Sequence, residues 1–441
     1  MHKKLLSLLL ALTLTLALVP FQSFAADGWT DVADINQFRA ALESPYVTQI
    51  RLTNHIFMDK KSIVISPYKA SLTIDGNGYA VTQSESNVSS NTICLNAMKC
   101  LTDITVRNIG IYGRNNSGFI YVPDSCAYAP VTLRYEKFKY NGPQLVDAKY
   151  SNAVLKDCEI IYWPGYANSN GEIVAAQNIR LEGYVSIIKQ MPGDTHDVFK
   201  LTKYGRLTVA SGAWVYITNN TQNCKSTTSG FVGVALSKNC LVFEDGCSFN
   251  YEGSKVFQDG YAFDNVYVGK NAVVNATIHE DLTCVDGLLN VNNYMTVNEN
   301  ASVRFIADGN TNCRPIIKFE SKSNLIVNNP KEFFLYNAST YKCNTGLAIG
   351  NECDMNVSLN NIGRLEHWVC NRAPYTNLGP ATYDFANGNK SFNCFANYYS
   401  GKAKLAYATN YAGATPYNAL TCFYSDVNVI RIGGYVMGPV Q

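Results

Sequence analysis

Two short runs of the chain place acids beside histidine. Asp194, His196 and Asp197 belong to DTHD (194–197), and His279, Glu280 and Asp281 to HEDL (279–282). Carboxylates gathered in this way can hold a divalent cation that acidifies a substrate proton, and a base beside them can remove it. Asp is also what a polar turn selects, because its side chain hydrogen-bonds the backbone two residues on. The first run lies just before the apolar pair Phe199 and Leu201, where a turn is expected. For both runs the turn reading is the simpler one. Beyond His2, the remaining histidines are His55 and His367, and no two of them have metal-like spacing. The sequence has no GxSxG elbow and no glycine loop for phosphate.

The elements that must position these residues come from one phrase written five times. RLTVASGAWVYI (206–217), CLVFEDGCSFNY (240–251), NVYVGKNAVVNA (265–276), YMTVNENASVRF (294–305) and NLIVNNPKEFFL (324–335) superpose without gaps. Successive starts are 34, 25, 29 and 30 residues apart. One column reads Leu207, Leu241, Val266, Met295, Leu325, and a second reads Val209, Phe243, Val268, Val297, Val327. A third, beyond a polar turn, reads Val215, Phe249, Val274, Val303, Phe333. Apolar residues at i and i+2, a turn, then the same again describe two half-buried strands. SerGly at 211–212, AspGly at 245–246 and LysAsn at 270–271 suit the bend between them.

A further apolar pair often precedes the phrase: Phe199 and Leu201, Val234 and Leu236, Leu289 and Val291, Ile317 and Phe319. Three short strands per repeat of this length predict an all-β fold, a parallel β-helix of three-strand coils, since a propeller blade needs four strands and about 40 residues. Upstream, coils are expected through 71–78, 101–111 and 153–161. DINQFRAALE (34–43) reads as a short amphipathic helix with Asp34 as N-cap and Ile35, Phe38 and Leu42 on one face. It would cap the first coil, whose strand edges need cover. The phrase stops near Leu365, so the expected division is a signal peptide at 1–25, the β-helix with its capping helix at 26–365, and an irregular β-rich cap at 366–441, rich in aromatic residues and Asn.

The opening segment has a basic start, an apolar run from Leu5 to Val19 and small residues before Ala26, the pattern of a secretory signal peptide. Without residues 1–25, Lys+Arg and Asp+Glu stand at 34 each, which disfavours nucleic acid or an anionic membrane surface as partner. No later apolar stretch is long enough to span a bilayer. The expected location is extracellular, secreted or held at the cell surface. All 14 cysteines follow the opening segment. An even count in an exported chain suits disulfides, yet they are scattered without CxxC spacing. Cys247 falls in the column of Ala213, Ala272 and Ala301, and Cys158 looks similar, as small buried residues would. Free buried thiols and bridges both stay open.

These residues resemble the pectate-lyase-like adhesive domain of Gram-positive surface proteins. The likeness is carried by FRAAL, VTQIRL and LTIDGNG within 38–78, by the recurrent LTV and GA coils, by NNPKEFFLYN (328–337) and by LEHW (365–368). It implies a right-handed parallel β-helix displayed outside the cell, with adhesion as its usual assignment. Lyases of this fold hold Ca²⁺ with carboxylates on one strand face and use Arg or Lys as base. Here Asp75 reads as a turn former, and the equivalent Asn108 and Asp157 do not make a carboxylate column. Arg314 and Pro315 resemble a lyase Arg–Pro pair, but IIKFE after Arg314–Pro315 reads as a strand. No catalytic or metal-ligating residue and no cofactor is assigned, and the binding residues are left unnamed.

Aromatic residues are the better lead to binding, with 29 Tyr and 20 Phe, more than thin coils need inside. Tyr112, Tyr121, Tyr128, Tyr135 and Tyr140 cluster where loops interrupt the coils, either exposed for stacking or packed on the flank. The function expected is a non-catalytic secreted or surface protein binding extracellular glycans, a host surface or the cell wall. The alternatives are a lyase or hydrolase of uronate-containing polymers, and a structural spacer. Oligomeric state is left open. The columns predict that Val297→Asp lowers the melting temperature far more than Glu299→Ala, since it buries a charge and loses about 1.5–3 kcal/mol of apolar burial. Equal losses on thermal unfolding would mean the columns are misassigned.

Overall fold

The computed structural model describes residues 28–83, 92–95, 103–114, 117–162, 171–190, 196–220, 231–235, 238–253, 257–279, 288–307, 315–319, 324–328 and 330–337, and thereafter the strands 345–349, 355–360, 365–369, 392–395, 398–400, 403–405 and 429–432. The proposed signal peptide, Asp194, Glu280, Asp281, Arg314 and Leu236 lie outside these residues.

The chain winds into a parallel β-solenoid with three sheets, here S1, S2 and S3. The first strand of the phrase lies in S1, where 206–209 stacks on Cys240–Phe243, which stacks in turn on Phe263–Val268, 294–297 and Asn324–Asn328. The second strand lies in S2, from Trp214–Asn220 through Ser248–Gly253 and Val273–Ile278 to Ser302–Ala307 and Glu332–Asn337. S3 takes the upstream pair, with 199–201 on Val232–Val234 and then on Gln258–Gly260. All of these pairings are parallel. A parallel coil leaves each peptide to bond the coils before and after it, so the backbone is satisfied along the axis.

Register puts like on like. Leu207 pairs with Leu241, then Val266, Met295 and Leu325, and all five are buried. The Val209 and Val215 columns are equally enclosed. In the coil after Phe199 the S3 strand is Val232–Val234, not the expected Val234 and Leu236. The alternation is the same, and the neighbouring coil sets where the strand begins: Val232 and Val234 are the residues that stack over Phe199 and Leu201, with Phe231 inside the corner before them. Phe231 there joins Phe199, Phe249, Tyr251 and Phe257, with ring centroids 5.0 to 5.6 Å from its own. Cys247 and its column of Ala213, Ala272 and Ala301 are buried, and Cys94, Cys158, Cys240 and Cys247 are free thiols.

On the solvent side of S1 a second column runs Asp31, Arg51, Asp75, Arg107, Glu136, Lys156, Glu182, alternating in sign at every rung. Arg51 Nε donates to Asp31 at 2.7 Å and Arg107 Nε to Asp75 at 2.8 Å. Each such pair is worth under about 1 kcal/mol. A slip by one coil would set like charges against each other at every step, so the ladder holds register more than it adds stability.

Helix α1 (Ile35–Glu43) caps the first coil, with Asp34 accepting from the backbone N–H groups of Asn36 and Gln37. Phe38, Ala41 and Leu42 are buried, while Ile35 is only partly so. Lys69 is fully enclosed beneath it. Its ammonium donates to the carbonyls of Ala41, Ser44 and Val47, the groups that a helix C-terminus and its exit leave open. Burial pushes its pKa down to about 8. At the far end Leu365–Val369 still stacks parallel on Glu332–Asn337, and Val429–Ile432 pairs with it antiparallel. Among the described residues no helix is long and apolar enough to cross a membrane.

Lys69→Met would leave three carbonyls under the cap without their donor. The expected cost is about 2–4 kcal/mol, read as a lower unfolding midpoint together with earlier proteolysis near residues 35–47. An unchanged midpoint would mean that water serves those carbonyls equally well.

Candidate functional site

Between S1 and S2 the chain turns on a residue in the left-handed backbone region. In successive coils these are Asn77, Asn108, Lys137, Asp157 and Gly183, with φ of 49°, 50°, 50°, 51° and 61°. At 108, 137 and 157 a single residue makes the corner, which pulls the two sheets close. An open cleft of about 790 Å³ follows this corner along the solenoid axis from His55 to Tyr184. Gly78, Ala80 and Gly110 form its low ground; a Cβ on Gly110 would lie 3.1 Å from that of Ala80.

Polar groups line the cleft in steps set by the coils. Asn108 Nδ2 lies 3.3 Å from both Asp75 oxygens, and Asp157 Oδ1 accepts from the Tyr184 N–H at 3.1 Å. His55 Nδ1 accepts from the Ala80 N–H at 3.1 Å, and its ring meets Tyr79 edge-on at 5.5 Å. Lys139 pairs with Glu159 at 2.8 Å, a hydrogen bond that raises the lysine pKa. Lys137 is exposed and forms no ion pair with a described residue. Burial pushes the Cys158 thiol upward, away from the thiolate form. Tyr112 and Tyr184 are about half exposed, and Trp214 sits one rung beyond Tyr184 with 67% of its surface open. Polar side chains at fixed spacing, with aromatic faces above a low floor, can hold a ligand by stacking and hydrogen bonds.

The described residues of the acidic runs, His196, Asp197 and His279, do not line this cleft. Asp197 is buried at the S2–S3 corner, where its carboxylate lies over Gly233; burial pulls the Lys200 pKa down, and the Glu172 hydrogen bond and charge, with a smaller share from Asp197, raise it overall. The His196 carbonyl accepts from Lys189 Nζ. His279 Nε2 lies 3.0 Å from Glu252 on the S2 surface, in another part of the solenoid. Asp75 accepts from the Asn77 N–H, as a turn former does, and its second oxygen belongs to Arg107. Among the described residues, no three His, Cys, Asp or Glu side chains are placed to share a metal ion.

The tyrosine cluster divides. Tyr112 and Tyr128 are exposed and Tyr121 is half-buried, whereas Tyr135 and Tyr140 point into the core. Tyr140 donates its hydroxyl to the Gln144 carbonyl at 2.5 Å, a tie available only inside the coil. Tyr184 and Trp214 were missed from sequence. Their signal was the outward position next to the S1–S2 bend, which the phrase marks once its inward columns are fixed.

Residues 29–147 match the family model of a pectate lyase-like adhesive domain, the family that the opening residues resemble. The cleft from His55 to Lys139 lies inside that match. Similar solved structures include the SRRP of L. reuteri 100-23, at 15% identity and a TM-score of 0.41, covering 74% of this chain and 98% of that one. The SRRP of L. reuteri 53608 is similar at 14% identity and a TM-score of 0.31, with the same 74% and 98% coverage. A search of curated proteins returns no match. The match likens this part of the chain to an adhesive domain and brings no binding target with it.

Two glycines test the corner geometry. Gly183 has φ +61° and a Cβ there would lie 2.0 Å from Asp157 Oδ1, while Gly212, at φ +67°, has open space around it. Gly183→Ala is expected to cost about 2–4 kcal/mol and Gly212→Ala about 1–2 kcal/mol, the second from backbone conformation alone. Chemical denaturation of both variants gives the comparison, and a reversed order would contradict the packing of Asp157 against Gly183.

Proposed function

We propose that the protein is exported by a signal peptide at 1–25 and acts outside the cell or at its surface as an adhesin. In this reading the S1–S2 corner cleft takes an extracellular glycan, of host or cell-wall origin, and holds it without turnover. The observation that carries it is the cleft of about 790 Å³, flanked by Tyr112 and Tyr184, within and just beyond the residues that match an adhesive domain. Aromatic faces stack on sugar rings, and the corner amides, Lys137 and Asp157 are spaced to meet hydroxyls on successive residues of a chain. Residues 366–441 serve as the cap of the solenoid's far end, and the antiparallel pairing of Val429–Ile432 with Leu365–Val369 supports that role.

A glycan array with the mature protein tests the reading. Specific hits are expected, weakened about ten-fold or more in a Tyr112→Ala/Tyr184→Ala variant of unchanged thermal stability. Incubation with polygalacturonate and Ca²⁺ is expected to release no unsaturated uronate. Release of that product would establish the lyase alternative, and an array without any hit would favour the spacer.

A further inference from the structure

The opposite edge of S1, where S3 turns into it, carries a second cleft of about 460 Å³ with different chemistry. Arg180, Arg206 and Lys238 line it, and no carboxylate does. Arg180 is held in place from outside the lining: its Nε donates to Glu182 at 2.7 Å, and its two terminal nitrogens donate to Glu244 at 2.7 and 3.0 Å. With those two acids counted, the three cations leave a net charge of +1, carried by Arg206 and Lys238. Arg206 and Lys238 are exposed, and neither forms an ion pair with a described residue. Lys238 Nζ lies 5.7 Å from the centroid of the Tyr204 ring, itself about half exposed.

The backbone places two of these groups at one corner. Tyr204 and Lys238 occupy the same corner in adjacent coils, both left-handed, with φ of 58° and 74°. A bulky residue rarely adopts that conformation, and where it does the strain is concentrated at functional positions. Arg206 pairs in register with Asn178 on one side and Cys240 on the other. The cations thus enter the cleft from three successive coils, at rungs about 4.8 Å apart.

We infer that this second cleft binds a saccharide carrying a phosphate or sulfate ester, the ester meeting Arg206 and Lys238 and the sugar ring lying on Tyr204. Donors arriving from two coils suit a tetrahedral group with three outer oxygens better than a planar carboxylate, which one guanidinium satisfies by itself. The site is separate from the S1–S2 cleft and stands whether or not that cleft binds a glycan.

Ligand-observed saturation-transfer NMR on the mature chain tests it with glucose 6-phosphate, glucose 6-sulfate, glucuronate and glucose. One or both esters are expected to give a salt-sensitive signal that glucose does not; which ester does so identifies the source. Arg206→Gln and Lys238→Gln should each weaken the signal about ten-fold and together abolish it, with melting temperature unchanged because both side chains are exposed. Tyr112→Ala, in the other cleft, should leave it intact. Equal signals from glucose and the esters, binding that survives the double variant, or loss with Tyr112→Ala would each overturn the proposal. Glucuronate binding as well as the esters would overturn the preference for a three-oxygen anion.

Discussion

Every feature of this molecule answers to one requirement: each turn of the chain must return one strand spacing further along the axis, with its peptides facing those of the turn before. Parallel strands hydrogen-bond only when that return is met, and an unmet backbone group inside the stack costs about 1–3 kcal/mol. The three corners are where the requirement is satisfied or missed. Left-handed residues at Asn108, Lys137, Asp157 and Gly183 turn the chain within one or two positions, so S1 and S2 keep common register from coil to coil. Once register is common, inward residues stack in columns, and the core is a set of such columns. A layered core of this kind has no single centre; each coil depends on its two neighbours.

Two polar devices guard the register and the end of the stack. The alternating column from Asp31 to Glu182 is nearly neutral and mostly half-buried on the solvent side, so it contributes little energy yet penalises a slipped coil at every rung. Lys69 does the opposite: it is buried and gives its charge to three carbonyls at the exit of helix α1, tying the cap to the coil below. The ladder has a further consequence. Asp75, on the strand face where a cation-dependent enzyme of this architecture would gather carboxylates, is engaged by Arg107 and Asn108.

The same geometry separates two surface chemistries. At the S1–S2 corner the tight turns and the small residues Gly78, Ala80 and Gly110 leave low ground between aromatic side chains, and the charges there are mostly paired. At the S3–S1 corner wider turns lift Tyr204 and Lys238 out beside Arg206, and the lining is cationic. Both clefts arise because side chains at one corner of a solenoid repeat along a line, so a local choice of residue becomes an extended surface.

The solenoid was legible in the sequence because its periodicity is local. Inward positions must be apolar in every coil, so the Leu207, Val209 and Val215 columns could be read by superposing the phrase, and the cap helix by its spacing and Asp34. The S3 strand was placed two residues late in the coil of Val232–Val234, since where its return to the stack begins is set by the neighbouring coil rather than by the strand's own pattern. The clefts were not legible. Tyr112 and Tyr140 look alike in sequence, yet one faces solvent and the other donates to the Gln144 carbonyl inside the coil. Arg206 and Lys238 are separated by a whole turn, and Tyr184 and Trp214 by another. The sequence alone determined the periodicity, the buried columns and the capped start, which are properties of neighbours along the chain. Only the tertiary structure decided which polar and aromatic groups share a corner, because that depends on how many residues each turn spends before it comes back into register.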